Sequence, residues 1–135
     1  MRAPDIFQVE DNEDFTFLME HAVAEISRDL YLAITTNGSE AMTALAGLQA
    51  KSYKPGLILL DINLPGISGI EVLKRIRDID FFQSVPVVMF STSDNPKDIA
   101  TIIALGANDY QIKPMGYRDL VNCLKKMKEN YLFIN

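Results

Sequence analysis

The chain has 135 residues, 48% hydrophobic and 23% charged, with a formal net charge of −5 at pH 7. Such a chain has room for one domain around one core, and its composition is that of an ordinary soluble globule rather than a disordered segment. The negative balance disfavours non-specific attraction to nucleic acid or an anionic membrane, and no apolar stretch approaches the roughly 20 residues of a membrane span.

The start, Met1 to Asp5, lacks the basic and apolar regions of a signal peptide. The single cysteine, Cys123, rules out an internal disulfide and fits a reducing compartment. A cytoplasmic location is therefore expected. Within Leu120-Val121-Asn122-Cys123-Leu124 the cysteine reads as helix packing rather than as a nucleophile.

Short apolar runs alternate with helix-period segments along the whole chain. Ile6-Phe7-Gln8-Val9 reads as a first strand running into Glu10-Asp11. Phe15, Leu18, Met19, Ala22 and Ile26 then recur at steps of three and four, the apolar face of a helix. Leu30 to Thr36 is a less hydrophobic strand, suited to a sheet edge. Asn37-Gly38-Ser39 opens a second helix carrying Ala41, Leu45 and Leu48.

Leu57-Ile58-Leu59-Leu60, bounded by Gly56 and Pro65, reads as a strand covered on both faces and ends at Asp61. Ile70, Val72, Leu73, Ile76 and Ile79 mark a third helix, and Val87-Val88-Met89-Phe90 a fourth strand. Asn95-Pro96 is an N-cap with proline at the first helical position; Ile99, Ile102, Ile103 and Leu105 follow, and Gly106 terminates the helix. Asp109-Tyr110-Gln111-Ile112 is a short fifth strand ending at Lys113-Pro114, and Leu120, Val121, Leu124 and Met127 give the last helix. The apolar tail from Tyr131 to Asn135 is expected to cap that helix against the core, the competing reading being an exposed partner-binding patch. Five strand–helix units joined by short links imply a parallel sheet with helices on both faces and right-handed crossovers.

If the strands are parallel, their C-terminal ends share one rim, where open α/β sheets bind ligands. That rim collects Glu10, Asp11, Asp61, Ser91 and Lys113. Each has a bland reading: a first-turn acidic pair favoured by the helix dipole, a loop or cap hydroxyl, a solvated surface lysine. Their coincidence at strand ends carries the inference. Three clustered carboxylates repel one another until a cation or a proton relieves them, and oxygen-only ligands suit Mg2+. A metal held by carboxylates and water meets phosphoryl groups, whose transfer is mostly positioning and charge neutralisation. An aspartate can itself take the phosphoryl group, and Asp61, on the most apolar strand, is the candidate acceptor.

These residues and their surroundings resemble the receiver domains of two-component response regulators, chemotaxis regulators among them. The likeness runs from about Ile6 to Met127. It rests on Val9-Glu10-Asp11-Asn12, on Leu59 through Glu71 with its Asp61-Ile62-Asn63-Leu64-Pro65-Gly66 core, on Val88 through Ser93, and on Gly106 through Pro114. It implies a flavodoxin-like, doubly wound five-stranded sheet of order 2-1-3-4-5 with five helices.

It also implies a set of roles. Asp61 would accept phosphoryl from a sensor histidine kinase or a histidine phosphotransfer protein. Glu10, Asp11, Asp61 and the backbone carbonyl of Asn63 would bind Mg2+. Ser91 and Lys113 would bind phosphoryl oxygens, Tyr110 would change rotamer with the Ser91 loop, and the Lys113–Pro114 peptide would be cis. The switched surface would be the helix after Asn95, the last strand and the last helix. It would engage a downstream protein, as a monomer or a phosphorylation-dependent dimer.

Ser68 and Met115 depart from the family's usual residues without touching the five chemical positions. Asn63 and Ser93, neither an acid nor a base, imply a moderately long-lived aspartyl phosphate. An aspartyl-phosphate phosphatase would carry a second aspartate where Asn63 stands, so a turnover enzyme is not expected. A flavin carrier would want a phosphate loop where Glu10-Asp11-Asn12-Glu13 would repel it. The chain, residues 1–135, is expected to be a single receiver without an output domain; the competing reading is a receiver cut from a longer hybrid kinase or regulator.

Overall fold

Residues 2–132 are described by the computed structural model. Their elements alternate strictly: β1 (Ile6–Val9), α1 (Glu13–Ile26), β2 (Leu32–Thr35), α2 (Gly38–Ala50), β3 (Leu57–Leu60), α3 (Gly69–Arg77), a 3-10 turn (Asp80–Phe82), β4 (Val87–Ser91), α4 (Pro96–Ala104), β5 (Asp109–Ile112) and α5 (Tyr117–Tyr131). All strand pairs are parallel and the sheet order is β2-β1-β3-β4-β5. This is the doubly wound order expected from the family resemblance. The chain reverses direction across the sheet between β1 and β3, which opens a crevice above their C-terminal ends.

The sheet is covered on both faces, which explains why β1, β3 and β4 are buried throughout. Alternate residues of these strands feed two separate cores. Phe7, Val9, Ile58, Leu60, Val87 and Met89 pack with α2 and α3 residues such as Leu45, Val72 and Ile76. Ile6, Leu57, Leu59, Val88 and Phe90 pack with Met19, Val23, Leu120 and Leu124 of α1 and α5. β2, read as an edge from its composition, is one: three of its four residues are only half-buried.

Local sequence fixes the helix starts. Asn12, Asn37, Ser68 and Asn95 each accept a backbone N–H of the first turn with a side-chain oxygen. Gly106, at φ +109, closes α4 in a conformation that suits glycine. Two apolar faces are narrower than periodicity predicts. On α1, Leu18 is exposed while Val23 is buried. On α4, Ile102 is buried but Ile103 is 44% exposed. α1 packs along α5 and α4 packs against β5, and the side chains pointing away from those partners keep contact with water. Leu132 packs into the α1/α5 core, so this part of the tail does cap the last helix; Phe133 to Asn135 lie outside the described residues. Among the described residues no helix is long and apolar enough to cross a membrane.

Candidate functional site

Hydrogen bonds one residue past the strands carry the sheet into its upper rim. The Glu10 N–H donates to Thr35 O (2.9 Å), Asp61 N–H to Val9 O (3.2 Å) and Lys113 N–H to Ser91 O (2.8 Å). Glu10, Asp61, Ser91 and Lys113 therefore stand at the ends of β1, β3, β4 and β5, four adjacent strands. Glu10 is 1% and Asp61 7% exposed, whereas Asp11 faces solvent at the mouth. Carboxylate oxygens of Glu10, Asp11 and Asp61 all lie within 4.8 Å of one another.

Lys113 bridges the two buried acids. Its Nζ is 2.6 Å from Glu10 Oε1 and 3.0 Å from Asp61 Oδ2. The same ammonium lies 4.6 Å from the centroid of the Phe15 ring. Backbone amides hold the other carboxylate oxygens: Asn12 N–H donates to Glu10 Oε2 and Asn63 N–H to Asp61 Oδ1, each at 3.2 Å. Three carboxylates facing one ammonium leave a net charge near −2. Burial pushes the Glu10 carboxyl above the ordinary carboxylate range; the hydrogen bond and charge of Lys113 pull it back, and the neighbouring Asp61 adds to the rise.

An open cleft of about 540 Å3 spreads over this cluster, lined by Glu10, Asp11, Asp61, Asn63, Thr92 and Lys113. Its donors are all oxygens and its charge is under-neutralised, so the chemistry fits a hard divalent cation. Octahedral ligands at about 2.1 Å place neighbouring oxygens about 3 Å apart and opposite ones about 4.2 Å apart. The observed spacing needs only a modest closing to reach those values. Asn63, whose carbonyl was expected as a further ligand, sits in the turn beside Asp61 and lines the same cleft.

Ser91 is the last residue of β4 and is fully buried; its Oγ accepts the Ser93 N–H at 3.5 Å, and the exposed Thr92 takes the place on the cleft wall. Tyr110 is half-buried on β5, and its hydroxyl donates a short hydrogen bond to Ser93 O. The loop after Ser91 is thus tied to Tyr110 as well as to its own serine.

The loop between Asp61 and α3 is drawn in tightly. Gly69 N–H donates to Ile62 O at 2.9 Å, and a Cβ on Gly69 would lie 1.8 Å from the Asp61 carbonyl oxygen. Ser68, a departure from the family's usual residue, caps α3 through Glu71 N–H. Met115, the other departure, is fully exposed. The expected cis peptide before Pro114 is absent: no peptide bond among the described residues is cis. Trans is the lower-energy isomer of an X–Pro bond by about 0.5–1 kcal/mol, and Lys113 is aimed by its ladder bond and its two ion pairs instead. Sequence reading passed over Phe15 and Asn12 at this site; an asparagine three residues before an aromatic, directly after an acidic pair, was the available signal.

The sheet order places an acidic trio and a lysine at the switch point of a doubly wound α/β module. Residues 6–125 match the family described as the response regulator receiver domain, and the chain belongs to that family. It is a receiver domain of two-component response regulators. Response regulator Rcp1 of Synechocystis sp. is 33% identical over 129 residues, covering 94% of this chain and 88% of that protein. Rcp1 is also among the similar solved structures, in a Mn2+-bound form (32% identity, TM-score 0.76, covering 92% of this chain and 91% of that one). The phosphorylated cyanobacterial phytochrome response regulator RcpA is similar too (34% identity, TM-score 0.79, covering 96% and 94%). The uncharacterised transcriptional regulatory protein YkoG of Bacillus subtilis is 36% identical over 117 residues, 86% of this chain, but the chain spans only 47% of its length. Acidic cluster and Mn2+-bound relative together point to a divalent metal site.

Proposed function

We propose that this receiver takes a phosphoryl group on Asp61 from the phosphohistidine of a sensor histidine kinase or histidine phosphotransfer protein in the cytoplasm, and thereby switches a protein-binding surface. One observation carries the reading. The Asp61 carboxylate stands at an open cleft with a lysine ammonium on one side and two further acids on the other.

An oxygen of Asp61 attacks phosphorus in line. The bond from phosphorus to the partner's imidazole nitrogen breaks, its electron pair returns to that nitrogen, and a proton from solvent replaces the lost group. Bound Mg2+, held by Glu10, Asp11, Asp61 and the Asn63 carbonyl, would supply charge neutralisation of the phosphoryl oxygens. Lys113 is already 3.0 Å from Asp61 and needs only to exchange a carboxylate for a phosphoryl oxygen. Ser91 Oγ now accepts a hydrogen bond from Ser93 N–H, so turning its own proton toward the phosphoryl group draws the loop inward. That movement removes the carbonyl on which the Tyr110 hydroxyl rests, and the ring can turn. The consequence falls on α4, β5 and α5, where α4 buries Ile102 and leaves Ile103 exposed and β5 is a half-exposed edge.

The same proposal makes the protein a switch and not a turnover enzyme. Asn63 at the cleft can neither donate nor withdraw a proton strongly, so hydrolysis is slow and the aspartyl phosphate moderately long-lived. A downstream protein reads the new surface, with the receiver acting as a monomer or a phosphorylation-dependent dimer. A module of this kind makes up most of Rcp1 and about half of YkoG. The decisive test is incubation with acetyl phosphate and Mg2+ followed by intact-mass measurement. Wild type gains one phosphoryl group and Asp61→Asn gains none; labelling that persists in the variant sinks the assignment, and a phosphoryl lifetime of seconds sinks the stability claim.

A further inference from the structure

The Lys113 ammonium meets two carboxylates and the face of one ring. Phe15 supplies that ring, 4.6 Å from Nζ to its centroid. It is the first residue of α1 to reach the sheet, half-buried, and packed edge-to-face on the fully buried Phe90 with centroids 5.4 Å apart and planes at 69°. Phe90 directly precedes Ser91 in β4. The ring is therefore wedged between the lysine and the strand that carries the hydroxyl.

The contact belongs to a closed circuit. Phe15 N–H donates to Asn12 Oδ1 at 2.9 Å, Asn12 N–H donates to Glu10 Oε2 at 3.2 Å, Glu10 Oε1 pairs with Lys113 Nζ at 2.6 Å, and Lys113 returns to the Phe15 ring. A helix cap, a buried acid, an ammonium and an aromatic face fix one another. The Phe15 side chain meets the site's charged groups at Lys113, over whose ammonium its ring face lies.

An aromatic face suits what the lysine must do. It attracts an ammonium through the ring quadrupole, yet it offers no directional acceptor. A carboxylate or carbonyl in its place would compete for the ammonium's protons when a phosphoryl oxygen arrives. The ring keeps the charge at the site on that side while leaving the donors free to move from Glu10 to the incoming group.

We infer that Phe15 is a positioning residue for the phosphoryl group on Asp61, holding Lys113 over its ring face so that the ammonium can pass from Glu10 to a phosphoryl oxygen. The inference rests on the phosphoacceptor reading above and names a residue that the reading did not need. Beryllofluoride, at saturating Mg2+, is the probe, with its half-saturating concentration read by NMR and Mg2+ affinity measured separately by calorimetry. Phe15→Leu keeps an apolar side chain of similar size without a ring. It weakens beryllofluoride binding about fivefold, the scale of a partly buried cation–π contact, while Mg2+ affinity stays within about twofold. Phe15→Tyr, which restores a ring face, restores the affinity. In wild type the Lys113 ε-methylene protons carry an upfield ring-current shift that Phe15→Leu abolishes.

Equal beryllofluoride affinity in wild type and Phe15→Leu overturns the inference while leaving Asp61 as acceptor. So does a parallel loss of Mg2+ affinity, or failure of Phe15→Tyr to restore binding, since either marks a merely structural role. A wild-type protein that binds no beryllofluoride at all overturns the phosphoacceptor reading, and this inference with it.

Discussion

A methyl group at residue 69 tests how tightly Asp61, the proposed acceptor, is held. The Cβ of Gly69→Ala would fall 1.8 Å from the Asp61 carbonyl oxygen, 2.7 Å from its carbonyl carbon and 2.9 Å from Ile62 Cα. All three obstacles are backbone, so no side chain can rotate out of the way. To reach 3.0 Å, the closest approach real Cβ atoms make, the α3 start and the Asp61 peptide must separate by about 1.2 Å. Forcing such a shift in a packed region costs about 1–3 kcal/mol. With an unfolding entropy of about 2.1 cal/mol/K per residue, that lowers the melting temperature by about 4–11 °C. A displacement of about 1 Å at a reacting group costs about a hundredfold in rate. Gly47 in α2 is the control, because a Cβ there meets nothing within 4 Å. Gly47→Ala removes a helix-interior glycine and stabilises by about 0.5–1 kcal/mol. Thermal melting and the rate of labelling by acetyl phosphate are measured on both. Gly69→Ala with wild-type melting and wild-type labelling would refute the close packing of α3 on the acceptor.

Mg2+ at ten times its dissociation constant stabilises the fold by about 1.4 kcal/mol, and so raises the melting temperature by about 5 °C, reversibly with a chelator; no shift at millimolar Mg2+ speaks against a metal at Glu10, Asp11 and Asp61. Because burial raises the Glu10 carboxyl, the folded chain holds that proton more tightly than the unfolded chain does, and metal-free stability falls as pH rises from 4.5 through the raised value. Glu10→Gln flattens that slope in urea titrations without metal, because the titrating group is gone; an unchanged slope sinks the reasoning. Burial, chiefly, pushes the Cys123 thiol up to about 11. At pH 8 its thiolate fraction is then about a hundredth of that of a thiol at 9.0, so alkylation by iodoacetamide slows by a similar factor relative to a free cysteine peptide; rapid alkylation of folded protein contradicts it.

What the sequence made legible follows the range of the interactions. Leu57 to Leu60 needs no partner to declare itself, because only a doubly covered strand tolerates four such residues before a carboxylate. Asn95-Pro96 is equally local: the cap it announces is made by its own side chain to Lys97 N–H. Convergence at the rim could be inferred because parallel connectivity forces every strand to end on the same side. Contacts between distant segments left no such trace. Arg77 of α3 donates to Gly106 O, Phe82 O and Asn108 Oδ1, and Asn108 Oδ1 also accepts Val87 N–H. That clamp ties α3 to the starts of β4 and β5, yet Arg77 reads as one more solvated charge at a helix end. Phe15 was hidden differently: it fits the apolar period of α1, and nothing in that period says that one of its faces meets a lysine 98 positions away.

Charge at the rim constrains how a phosphoryl signal can leave it. The metal-free cluster carries about −2. On the proposed reading, a divalent cation adds two positive charges and a phosphoryl group converts the single charge of Asp61 into about two negative ones. The total changes by about one unit only, at a site open to water, where fields fade within a Debye length of about 8 Å. Long-range electrostatics is therefore a poor carrier. Contacts are a better one, because Ser91 is fully buried, Ser93 is bonded to it, and Tyr110 is bonded to Ser93. Each of those links is a single hydrogen bond that the arriving oxygens can compete for, worth about 0.5–1.5 kcal/mol. Two or three such exchanges suffice to invert a conformational preference of a few kcal/mol. The loop from Ser91 to Asn95 leads straight into α4, whose Ile102 is buried but whose neighbour Ile103 is not, so little packing opposes its displacement. On the proposed reading, the rim's chemistry and the exposure of α4 are two halves of one device: rigid where the phosphoryl group would land, loosely held where it would be read.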